Sequence, residues 1–196
     1  MGRINCFIPF VSQEQAAQTI EHLKSLELVN KIYLLATVDK PKPVEGCEML
    51  PVNVLFSSAT MREIAAHADA DYVLLYTKYD TLKMAPFALE RFAKLGDDTL
   101  SGMLYVDHYN VTDKGADKAP VIDYQMGSLR DDFDFGSVMF FCSQCFKKAV
   151  EAMKVPLVLH CPEAVFQFPQ PGRGRTIRFD EQGQRRCNLR FVCHPT

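Results

Sequence analysis

The first segment after the N-terminus, Ile4–Phe10 (INCFIPF), is apolar at nearly every position, broken only by Asn5 and closed by Pro9 and Phe10. A strand with one wet face would alternate, so a run this continuous suits a strand buried on both faces of a parallel sheet. Similar runs recur at residues 31–38, 49–56 and 71–76, with helix-like stretches between them. Ser12 and Gln15 have capping-box spacing, and Ala16, Ile20 and Leu23 then share one helix face. Thr60 and Glu63 repeat that spacing ahead of Ile64, Ala65 and Ala68. Pro86 suits the first turn of a third helix with Leu89 and Phe92 on its apolar face and Gly96 as its stop. Residues 104–109 and 136–142 read as two further strands, and Phe146, Val150 and Met153 mark a last helix. Strands alternating with helices imply an α/β fold, a mostly parallel sheet flanked by helices, with ligands beyond the carboxyl ends of its strands.

Composition supports a folded domain. The chain has 196 residues, 47% hydrophobic and 23% charged, enough to bury roughly 70% of the surface exposed when unfolded without help from disulfides or metal. A formal charge of −2 argues against nucleic acid or an anionic membrane as the main partner. The apolar runs fall far short of the roughly 20 residues that a bilayer-spanning helix needs. The N-terminus carries a single basic residue, Arg3, and no signal-peptide pattern. Seven cysteines, an odd and scattered set, do not form a disulfide framework, which points to a reducing, cytoplasmic compartment.

Two segments break the pattern. The Gly- and Asp-rich connection at residues 110–135 is too long for a plain turn, and connections of that length are usually functional or mobile. From about residue 155 the periodicity stops: residues 1–154 hold 12 Lys and 4 Arg, residues 155–196 no Lys and 6 Arg. The expected organisation is one domain over 1–154 and an irregular Arg/Pro-rich tail over 155–196. A disordered tail, an out-of-register translation and a basic phosphate-binding arm are the three readings of that tail.

Four places carry a family resemblance. They are Ile8-Pro9-Phe10, Ala36-Thr37-Val38-Asp39, the stretch Ser57-Ser58-Ala59-Thr60-Met61-Arg62 with the strand-like Ala68 to Leu75 after it, and Gly127 to Gly136 leading into Ser137. Together they resemble the nucleotide-sugar-binding half of a family-2 glycosyltransferase of the GT-A fold. The resemblance implies inverting transfer of a sugar from a UDP- or GDP-sugar to a glycan or lipid-linked acceptor, as in polysaccharide biosynthesis. It implies nucleotide contacts from Pro9, Phe10, Asp39, Thr60 and Arg62, and a phosphate end at Thr77, Lys78 and Asp80. A non-catalytic or truncated homologue that binds without transferring is the alternative.

The departures from the family shape the expected chemistry. Such enzymes carry Asp-x-Asp after the fourth strand, whose two carboxylates hold a divalent cation on the diphosphate. Here the triplet is Thr77-Lys78-Tyr79, and only Asp80 next to it is acidic. A lone carboxylate holds Mg²⁺ or Mn²⁺ poorly, whereas the Lys78 ammonium can neutralise diphosphate charge by itself. A base must take the acceptor proton. Asp131 and Asp132, with Asp134 nearby, are the local carboxylates for it, since clustered like charges raise one member's pKa. Arg130 would hold an anionic acceptor or the diphosphate. The competing reading of these residues is a solvated loop whose side chains cap its own backbone. Cys142-x-x-Cys145, with His160-Cys161 further on, lacks a second pair at zinc spacing. Asp107 and His108, adjacent on a strand, would point to opposite faces, leaving His108 as a rim residue.

Overall fold

The structure is a computed structural model that describes residues 2–38, 41–121, 135–153 and, in backbone only, 190–192. The elements are β1 (Ile4–Phe10), α1 (Gln13–Lys24), β2 (Val29–Ala36), β3 (Glu48–Pro51), α2 (Ser58–Ala66) and β4 (Tyr72–Tyr76). They continue with α3 (Ala88–Thr99), β5 (Met103–Tyr105), β6 (His108–Thr112), β7 (Gly115–Ala119), β8 (Val138–Cys142), α4 (Ser143–Glu151) and β9 (Arg190–Val192). The sheet order is β3-β2-β1-β4-β8-β5-β9, with β6 and β7 in a separate hairpin. Strands β3, β2, β1 and β4 are mutually parallel, while β8 opposes both β4 and β5, and β9 opposes β5. The expected class, an α/β fold with a mostly parallel sheet flanked by helices, is the observed one.

Burial explains the continuous apolar runs. Ile4, Cys6, Ile8 and Phe10 of β1 face a core shared with Ala16, Ile20 and Leu23 of α1 and Leu89, Phe92 and Ala93 of α3. Phe7 turns to the opposite core, with Met61 and Ile64 of α2 and Phe146 and Val150 of α4. The molecule is therefore three layers, with α1 and α3 on one face of the sheet and α2 and α4 on the other. Stacked rings join neighbouring strands, with Phe140 4.8 Å from Tyr72 and Phe7 4.7 Å from Tyr33 between centroids, and Phe140 also ties α3 to the sheet through Phe92 at 5.1 Å.

Four expectations are corrected. The second helix starts three residues early, because the Ser57 hydroxyl accepts the Thr60 N–H at 3.2 Å; Ser57 is the cap and Thr60 lies inside the first turn. The third strand is only Glu48–Pro51, since the polar residues after it form the approach to α2. Helix α3 starts at Ala88, with Pro86 in the turn before it and not in its first turn, and it does not stop at Gly96 but runs through it to Thr99. A Cβ at Gly96 would sit 2.8 Å from Tyr72 Cε1, so this glycine is a close helix–sheet contact and not a stop. Residues 104–109 do not form one strand: β5 ends at Tyr105, and β6 turns into a hairpin with β7 through Asp113-Lys114. That hairpin occupies part of the segment read as a long connection. Beyond residue 154, Arg190–Val192 adds a strand to the β5 edge, so three residues of the tail segment join the sheet.

Candidate functional site

The order β3-β2-β1-β4 reverses at β1. From β1 the chain moves outward through α1 to β2 and then to β3, and it returns through α2 to β4 on the other side of β1. The turn into α1 and the segment after β4 therefore emerge side by side, and the switch-point crevice lies beyond the carboxyl ends of β1 and β4. In open α/β sheets that crevice is where ligands bind.

Its walls are the turn after β1, Val11 and Ser12, and the segment after β4, Thr77 to Asp80. Ser12 caps α1, its hydroxyl accepting the Gln15 N–H at 3.2 Å. Gln15 Oε1 accepts the Val11 N–H at 3.3 Å, one residue earlier than a capping box would have it. The other end of that amide crosses the crevice: Gln15 Nε2 donates to the Tyr79 carbonyl at 2.6 Å. Thr19 Oγ1 accepts the Leu82 N–H at 2.9 Å, and His22 Nε2 accepts the Met84 N–H at 2.9 Å. Residues 15, 19 and 22 share one helix face, so α1 holds the segment after β4 along its length. Tyr76 adds an O–H bond to the Asp80 carbonyl at 3.0 Å.

The candidate residues fall into three groups. Lys78 and Asp80 are exposed on this anchored segment, at the crevice. Pro9, Phe10, Thr60 and Arg62 are buried or bonded away from the crevice, and the Thr77 hydroxyl is taken up at its far wall. Pro9 and Phe10 are buried in β1, with Phe10 in the α1/α3 core. The Thr60 hydroxyl donates to the Val54 carbonyl at 2.7 Å, Arg62 Nη2 donates to the Met153 carbonyl at 3.2 Å, and the Thr77 hydroxyl donates to the Ser137 carbonyl at 3.2 Å. Asp39, Arg130, Asp131, Asp132 and Asp134 lie outside the described residues, as do His160 and Cys161.

Sequence reasoning undervalued the far wall. Ser137 enters β8 beside Thr77, whose N–H donates to the Ser137 carbonyl at 3.0 Å. The Ser137 hydroxyl in turn lies 3.3 Å from His108 Nε2. Asp107 Oδ1, next to His108, accepts the Val121 N–H at 2.9 Å. The sequence signal for Gln15, Thr19 and His22 was present but easy to pass over, as polar residues at helical spacing beside an apolar stripe.

A divalent cation on the diphosphate would need several oxygen donors around Asp80. Among the described residues no group of three His, Cys, Asp or Glu side chains is placed to hold a metal. Lys78 is an exposed lysine on the same segment, two residues before Asp80. Among the described residues no helix is long and apolar enough to cross a membrane.

No protein-family model matches the chain, and no curated protein matches it. Seven solved chains are similar in structure. One is 4-diphosphocytidyl-2C-methyl-D-erythritol synthase from Anaerococcus prevotii, at 13% identity and a TM-score of 0.44, covering 84% of this chain and 83% of that one.

Proposed function

We propose that the chain binds a nucleotide-sugar, a UDP- or GDP-sugar, in the β1/β4 crevice and transfers its sugar, with inversion, to a glycan or lipid-linked acceptor hydroxyl. The observation that carries this reading is the anchored segment after β4, which presents Lys78 and Asp80 at the switch point of a three-layer α/β sheet. A diphosphate is recognised there by charge. The Lys78 ammonium faces the leaving group, and the N-terminus of α1 adds N–H groups and the positive end of its dipole. In the reaction the acceptor oxygen attacks the anomeric carbon, the bond from that carbon to the diphosphate breaks, and the acceptor proton passes to a carboxylate of Asp131 or Asp132. Arg130 and Lys78 hold the negative charge as it develops on the diphosphate. Pro9, Phe10, Asp39, Thr60 and Arg62 belong to the nucleotide end of this reading; for Pro9 and Thr60 the contribution is through backbone position. No step is assigned to a metal.

A second reading is favoured by Thr77-Lys78-Tyr79 standing where the family has Asp-x-Asp: a homologue that binds donor without transferring it.

Thermal unfolding with a panel of nucleoside diphosphates and nucleotide-sugars, with and without Mn²⁺, tests the reading. Ligand at 100 times Kd stabilises by about 2.7 kcal/mol. For a chain of this size that raises Tm by roughly 5–10 °C. The expected result is a shift with one nucleotide class that is indifferent to Mn²⁺ and largely lost in Lys78→Ala. A shift without sugar transfer supports the binding homologue, and no shift with any ligand overturns both readings.

A further inference from the structure

The switch-point site leaves two partly exposed cysteines unused at the other end of the sheet. Cys142 ends β8 opposite Tyr72, the first residue of β4, and so lies at the amino ends of the parallel strands. It is also the N-cap of α4, with φ −62° and ψ 125°. Its own N–H donates to the Gly102 carbonyl at 3.0 Å, and the Ser143 N–H donates to the Asp71 carbonyl at 3.0 Å, so the backbone is fixed on both sides. Cys145 stands three residues on, in the first turn of α4. Cys142 and Cys145 thus sit at the N-cap and in the first turn of the same helix, both at its start. Three residues at a helix start separate Cα atoms by about 5 Å, within the range a disulfide spans. Neither cysteine is in a disulfide, and both are partly exposed.

We propose that Cys142 and Cys145 form a thiol–disulfide exchange site for low-molecular-weight disulfides, with Cys142 as the attacking and Cys145 as the resolving thiol. The Cys142 thiolate attacks one sulfur of a disulfide RSSR, the S–S bond breaks, and RS⁻ leaves and takes a proton. Cys145 loses its proton and attacks the Cys142 sulfur of the mixed disulfide, releasing the second RS⁻. The protein dithiol is oxidised to a disulfide by two electrons, and RSSR is reduced to two RSH. The two cysteines differ from the others described in their surroundings. The neighbouring Cys145 thiol, the N–H groups at the start of α4 and the Lys148 ammonium on the next turn lower the Cys142 thiol to about 6 against the opposing effect of burial. Complete burial instead pushes Cys6 up to about 12, and burial also raises Cys47. The same pair lacks a metal-site partner among the described residues. This proposal does not depend on nucleotide binding.

The test is to treat the full-length protein with glutathione disulfide, quench with N-ethylmaleimide and map the peptides. The expected product is a Cys142–Cys145 disulfide that reduced glutathione reverses. Cys145→Ser should accumulate glutathione on Cys142, and Cys142→Ser should lose at least tenfold of the oxidation at this pair. The proposal is overturned if Cys142 and Cys145 remain alkylatable while other cysteines react, or if Cys142 is found joined to Cys161, Cys187 or Cys193. The wild-type map decides the matter even if a variant fails to fold.

Discussion

Asn5 shows how much a single polar residue can do inside an apolar strand. It is fully buried, yet Nδ2 donates to the His67 carbonyl at 3.0 Å and to Asp69 Oδ1 at 2.5 Å, and Oδ1 accepts from Asn30 Nδ2 at 3.0 Å. Asn5→Ala leaves those partners unmatched and should lower stability by about 1–3 kcal/mol, read as a lower urea midpoint. The Asp69 carboxyl is held below its usual range, first by the Asn5 hydrogen bond and then by Lys31, 3.2 Å away. A depressed carboxyl contributes stability above its unfolded pKa and loses it as pH falls through the lower folded value. Unfolding midpoints of wild type and Asp69→Asn should therefore differ at pH 6 and converge towards pH 3. Asp69 is half exposed, so solvent screening keeps the difference under about 1 kcal/mol. Cys142 offers a sharper readout. At pH 6 about half of it is thiolate, and after allowing for the weaker nucleophilicity of an acidic thiol it should be alkylated roughly tenfold faster than an ordinary cysteine. Competitive labelling with iodoacetamide and peptide mapping checks this, and equal rates would count against an acidic Cys142 thiol. Asn5 was visible in the sequence as the sole interruption of its run, but its partners come from residues 30, 67 and 69 and could not be read from spacing. That the chain leaves the sheet and exposes Lys78 and Asp80 was legible because an abrupt polar tetrad follows a buried strand.

At the scale of elements, caps and close contacts decide boundaries that periodicity leaves loose. The hydroxyls Ser57 and Thr60 are three apart and both suit a helix start; tertiary placement of the turn at Val54 selected the earlier one. Gly96 looked like a stop because glycine commonly follows a helix. The ring of Tyr72, whose hydroxyl donates to Asp97 and, at 3.3 Å, to the Ala93 carbonyl, shows why glycine is needed inside α3. In a free helix Gly→Ala would gain about 1 kcal/mol. Here the added methyl meets Tyr72 at 2.8 Å, so Gly96→Ala should destabilise by about 1–3 kcal/mol. The true end of α3 is Leu100, left-handed at φ 51° and 71% exposed. Leu100→Gly relieves that backbone without emptying a core and should stabilise by about 0.5–1 kcal/mol. Chemical denaturation of the two variants should move the midpoint in opposite directions, and a shared sign would refute one of the two backbone arguments.

For the whole molecule, the class was legible because buried parallel strands are apolar throughout, a signal that survives without any knowledge of neighbours. Strand order and direction were not, since β8 reads like the other buried runs and opposes its neighbours only by where the chain brings it back. The β6–β7 hairpin was hidden for a different reason: its residues are mostly exposed, so they carry no apolar alternation to read. Both described cores are built from residues between Ile4 and Met153, on the two faces of one sheet. The chain 1–154 should accordingly fold alone. Removing residues 155–196 deletes β9 and leaves the short β5 edge unpaired, a loss of three residue pairs at the margin of the sheet. An unpaired edge invites self-association, yet an edge of three residues is a weak template for it. The expected outcome is a monomeric 1–154 chain that unfolds in one cooperative transition with Tm a few degrees below that of the full chain, measured by calorimetry and light scattering. A fragment that aggregates, or that melts without a cooperative transition, would mean that the sheet depends on the residues after 154 and that the domain does not end there.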